Sequence, residues 1–190
     1  MANHWDESAL DWFERARRGP YKFLQDLDKE HFVERSPIIC VSCADLYRNY
    51  DMVKHTARLR GFAPGEDHKT HRLSWHGGIM RIVSGSPTNI IPESDEIFLA
   101  ELLEAHEITQ LGDFVIYAHW PCSKGLKHGL TIENAANHLI IARTRLKTIN
   151  PELKIKALFH VDLPEGVSST PGMKSYFVDP KGYALFTALQ

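Results

Sequence analysis

The chain alternates short apolar runs with helical patterns, and that alternation restricts its fold more than any other feature. Ile38-Ile39-Cys40-Val41, Ile79-Met80-Arg81-Ile82-Val83, Phe114-Val115-Ile116-Tyr117-Ala118 and Ile155-Lys156-Ala157-Leu158-Phe159 each suit a strand covered on both faces. Between the second and third runs, Ser94 opens a helix with Asp95 and Glu96 in its first turn and Leu99, Leu102, Leu103 and His106 along one face. Between the third and fourth, Thr131 caps a helix that buries Ile132, Ala135, Ala136, Leu139 and Leu146. Strand alternating with helix predicts an α/β fold, a single domain with a central, mostly parallel sheet flanked by helices.

The two ends have their own signals. Residues 1–36 read as an N-terminal helical arm, with Ala9, Leu10, Phe13 and Ala16 on one side and Gly19-Pro20 as a stop. A second amphipathic piece carries Tyr21, Phe23, Leu24 and Leu27, and these aromatics require burial against the domain body or a second subunit. Residues 37–190 form the body. In its tail, "SYFVDPKGYALFTAL", Asp179-Pro180-Lys181-Gly182 is a turn signal, which suggests an edge hairpin or an edge strand followed by a loose end. "GFAPGEDHKTHRLS" and "SGSPTNIIPES" read as loops of the kind that cover a site.

Bulk properties exclude several functions. A length of 190 residues suits one domain, and a net charge of −2 leaves no electrostatic footprint for nucleic acid or an anionic membrane. No apolar stretch approaches the roughly 18 residues that span a bilayer. The N-terminus lacks a signal-peptide core and carries Asp6, Glu7, Asp11 and Glu14, so a cytoplasmic protein is expected. Its three cysteines, Cys40, Cys43 and Cys122, are poor material for a disulfide scaffold and more suited to metal binding or chemistry as reduced thiols.

In an open parallel sheet, ligands bind beyond the carboxyl ends of the strands. That rule selects Ser42-Cys43-Ala44-Asp45 and His119-Trp120-Pro121-Cys122, which meet if their strands are neighbours. Two thiolates and an imidazole suit tetrahedral zinc, and catalytic zinc keeps a fourth, exchangeable position. Asp45 is then either a fourth ligand or the acceptor for a zinc-bound water whose pKa falls to about 7. Cys40-Val41-Ser42-Cys43 offers rival readings, a closed three-cysteine, one-histidine structural site or a redox pair. Residues three apart on an extended strand face opposite sides, however, which makes Cys40 a core thiol. Among the other histidines, His106 and His138 fit packing or capping roles, and His71 and His76 lie near the crevice without an assigned role.

These residues, in this order, resemble the β-class carbonic anhydrases, which carry CxDxR after a first strand and HxxC after a later one. The likeness runs from about Pro37 to Val161 and takes in His76-Gly77-Gly78-Ile79 as a glycine-containing segment leading a second strand. It implies one Zn2+ per subunit on Cys43, His119 and Cys122, with Asp45 beside it, and reversible hydration of carbon dioxide to bicarbonate by zinc-bound hydroxide. It also implies a homodimer or larger homo-oligomer, with the N-terminal arm on the partner. One departure bears on activity: the family arginine that restrains the aspartate is replaced by Tyr47, and Arg48 follows it. A shift of one position turns a helical side chain by about 100°, so the sequence leaves open whether Arg48 takes over. An unrestrained Asp45 would close the site and leave a non-catalytic zinc protein. Carbon disulfide and carbonyl sulfide hydrolases are similar proteins on the same scaffold, so the substrate is open among three small molecules.

Overall fold

A computed structural model of the chain describes residues 4–164 and 172–188, with the side chains of Leu46 and Tyr47 outside the description. Its elements in chain order are α1 (Glu7–Arg18), β1 (Leu24–Asp26), β2 (Ile38–Cys43), α2 (Leu46–Leu59), β3 (Thr70–Trp75), α3 (Ser94–Thr109), β4 (Asp113–Trp120), α4 (Ser123–Lys127), α5 (Ile132–Ile149), β5 (Lys154–Leu163), β6 (Gly172–Val178) and α6 (Pro180–Thr187). The strands form one sheet in the order β1-β6-β5-β4-β2-β3. The three pairings that join β3, β2, β4 and β5 are parallel, and β6 and β1 add antiparallel pairs on the far side. The expected α/β architecture is present, with β6 the last long strand toward that edge and the three-residue β1 beyond it.

The sheet is buried because its central strands are apolar on both faces. All six residues of β2 are buried. Ile39, Val41 and Cys43 share one large cluster with Phe114, Ile116, Ala118 and Trp120 of β4, whereas Ile38 and Cys40 join Val115, Tyr117 and Met52 on the other face. Helices α3 and α5 start where expected, and Thr131 closes a reciprocal capping box with Asn134. Among the described residues no helix is long and apolar enough to cross a membrane.

Helix α1 begins at Asp6, whose carboxylate accepts from Ala9 N–H at 2.8 Å, and ends as Gly19 N–H bonds to Arg15 O. Its apolar stripe lies on the chain's own body. Trp12 meets Phe23, Phe159 and Phe186 edge-on at centroid distances of 5.7, 6.4 and 6.1 Å.

Four local expectations are corrected. The second amphipathic piece, around residues 21–27, is not helical, and Leu24–Asp26 within it form the short strand β1. The run at Ile79–Val83 is a buried 3-10 turn over Gly78–Ile82, because Gly77 and Gly78 at φ 94 and 53 turn the chain out of an extended path. The adjacent strand is instead β3, inside the stretch expected to be loop; as an outermost strand with partly exposed residues it needs no apolar run. Asp179-Pro180 does not turn a hairpin but starts α6, with Asp179 as N-cap and Pro180 in the first turn.

Phe13 is fully buried between Trp5 and Tyr176 at 5.3 and 5.7 Å. Phe13→Ala should lower the free energy of urea unfolding by about 3–5 kcal/mol. A loss below about 1 kcal/mol would mean that α1 is not docked on the body.

Candidate metal centre

The parallel pairing of β2 with β4 brings both strand ends to one edge of the sheet. Cys43 is the last residue of β2. His119 is next to last in β4 and, after a cis Trp120–Pro121 peptide, Cys122 is the N-cap of α4. The ligand atoms of Cys43, His119 and Cys122 all lie within 4.8 Å of one another, and all three residues are buried. Cys40 and Asp45 are not in that group. The face assignment explains Cys40, which is enclosed on the opposite side of the sheet.

The donors fit a metal ion. Neither ring nitrogen of His119 has a hydrogen-bond partner, although the side chain is buried. Such an imidazole is costly unless something takes its lone pair. The Cys122 thiol is drawn down to about 7, chiefly by the hydrogen bond from Cys43, against burial and with help from the backbone N–H groups of Gly125 and Lys124. The same bond and burial push Cys43 up to about 12. The hydrogen bond thus favours a thiolate on Cys122 beside a thiol on Cys43; a soft or borderline divalent cation would favour two thiolates, and its binding would release protons. Two sulfurs and one nitrogen match zinc.

Neighbouring groups fix these donors. Gly77 N–H donates to Cys43 Sγ at 3.3 Å. A Cβ on Gly78 would fall 2.7 Å from Cys43 N, so the glycine turn lies directly against the ligand's backbone. His76-Gly77-Gly78-Ile79 therefore follows a strand instead of leading one, and its function is to let the chain approach Cys43. His119 pairs in register with His160 on β5. His160 contacts Ser175 Oγ through Nδ1 at 2.9 Å, and burial, followed by the charges of His119, His55 and Arg48, holds its pKa down to about 3.

Asp45 is the N-cap of α2, and Arg48 is the third residue of that helix. Asp45 Oδ1 accepts from Arg48 N–H at 3.0 Å, and Oδ2 accepts from Arg48 Nη1 at 3.0 Å. Arg48 Nη2 reaches across to Asp162 Oδ2 at 2.8 Å. Burial alone would raise the Asp45 pKa, but the Arg48 backbone N–H and guanidinium, with His119, hold it below the usual carboxylate range. Asp162 was missed in the sequence. It lies near the carboxyl end of β5, so the strand-end rule that selected the cysteines also applies to it.

The remaining histidines have other uses. His106 Nδ1 bonds Leu111 O at 2.8 Å and His138 Nδ1 bonds Asn134 O at 2.6 Å, while His71 and His76 are exposed. Trp120 is buried and donates to His4 O at 3.2 Å, which is a packing role.

Gly78→Ala should lower stability by about 1–3 kcal/mol and reduce bound metal per chain, read together by urea unfolding and atomic emission. Unchanged metal content at reduced stability would mean that the glycine turn does not position Cys43. No protein-family model matches this sequence, and no curated protein is significantly similar to it.

Proposed function

We propose that this protein is a zinc enzyme of the β-class carbonic anhydrase type, which reversibly hydrates carbon dioxide to bicarbonate. The observation that carries the reading is the Asp45–Arg48 pair beside three convergent metal donors. Arg48 supplies, from one position later, the restraint on the aspartate that the sequence motif lacks. Cys43, His119 and Cys122 would hold the ion. Zinc there supplies Lewis acidity that lowers the pKa of water to about 7.

The chain's own groups then act on the reacting water. Asp45 remains ionised because Arg48 holds it, and each carboxylate oxygen keeps a lone pair able to accept an O–H bond. Asp162 anchors the other side of the guanidinium, so Arg48 is fixed from both ends. A non-catalytic zinc protein requires Asp45 or Cys40 as fourth donor, and the restraint on one and the placement of the other on the opposite face of the sheet favour the enzyme. Reduced thiols at the site suit a cytoplasmic location, and assembly as a homodimer belongs to the same reading.

Stopped-flow hydration of carbon dioxide by zinc-stoichiometric protein between about pH 7 and 9 should exceed the buffer rate. Arg48→Ala should retain zinc and lose about 10–100-fold in rate, because Asp45 loses the partner that orients it. No rate above buffer in the wild-type protein excludes hydration. Turnover of carbon disulfide or carbonyl sulfide without carbon dioxide hydration would assign the related hydrolase instead.

A further inference from the structure

We propose that Arg81, Lys124, Lys127 and His128 form a binding site for a small oxyanion beside the Cys43, His119 and Cys122 group. Arg81 comes from the 3-10 turn over Gly78–Ile82, Lys124 and Lys127 from α4, and His128 from its C-cap. Two of these side chains converge over a bare glycine: a Cβ built on Gly77 would stand 3.4 Å from Arg81 Cδ and 3.4 Å from Lys124 Cγ. The same Gly77 donates its N–H to Cys43 Sγ, which places the cluster against the metal donors.

The cluster's charge is uncompensated. Arg81 is only 8% exposed. Its polar contacts are Asn89 Oδ1 at 2.8 Å and His76 O at 3.5 Å, and its guanidinium lies 4.2 Å from the Phe98 ring centroid. None of these carries a negative charge. Among the described residues, no carboxylate forms an ion pair with Arg81, Lys124 or Lys127. His128 Nε2 is buried without a partner. Burial first, and then the charges of Lys124, Lys127 and Arg81, lower the His128 pKa, with no acidic group acting in the opposite sense.

An enclosed cation without a counter-ion is unfavourable, and an oxyanion accepting several charge-assisted hydrogen bonds relieves it. Two cationic side chains side by side over Gly77 suit a single compact group of the sulfate, phosphate or bicarbonate class, with Arg81 supplying the planar fork and Lys124 a point charge. Bicarbonate is the anion of the proposed hydration, but the site uses none of the metal donors and does not depend on that reading.

Calorimetric titration of sodium sulfate into the full-length protein as purified, at ionic strength matched with sodium chloride, should show saturable binding of one anion per chain. Lys124→Gln combined with Lys127→Gln leaves the buried core intact and should weaken sulfate binding at least about tenfold, with metal content and circular dichroism unchanged. Absence of saturable binding, or equal affinity in the double variant, overturns the site. Neither result bears on whether zinc is bound or carbon dioxide hydrated, because both are measured separately.

Discussion

The candidate centre depends on the parallel pairing of β2 with β4, in which Ile39, Cys40 and Val41 stand opposite Phe114, Val115 and Ile116. Parallel strands end at the same edge of a sheet, so the residues that leave β2 and β4 enter the same crevice. An antiparallel pair would put Cys43 and His119 at opposite ends. Register is pinned because both faces are buried, and a slip of one residue would exchange the two apolar clusters. The same alternation separates the thiols, sending Cys43 to the metal donors and Cys40 to the far side.

Around the donors, charge is arranged by helix starts and strand ends. Asp45 is held because the first turn of α2 directs the third helical residue back toward the N-cap. Asp162 then ties Arg48 to β5, so one guanidinium joins the start of α2 to the end of β5. On the other side the glycine turn after β3 brings its backbone against Cys43 and leaves Arg81 and Lys124 close together without an acid. An arginine paired with two carboxylates therefore flanks the buried group at one side and a basic cluster at the other.

Much of this was legible in residue patterns, and the failures have physical causes. The buried strands β2, β4 and β5 and helices α3 and α5 announced themselves because apolar periodicity and caps agree. Strand β3 was hidden because an edge strand does not need apolar residues on both faces. Ile79–Val83 imitated a strand because a buried turn is as apolar as one, and only the positive φ of two glycines separates the two outcomes. The three metal donors could be chosen from strand ends. Whether Arg48 reaches Asp45 depends on where α2 begins, and helix boundaries are what spacing fixes least well.

In the proposed function, Cys43, His119 and Cys122 hold zinc while Arg48 restrains Asp45. X-ray absorption at the zinc edge, recorded on the purified protein at neutral pH, reads this directly. Two sulfur neighbours, one nitrogen and one oxygen that small anions displace are expected. Three sulfur neighbours, or a fourth oxygen that remains after anion addition and disappears in Asp45→Ala, would contradict it.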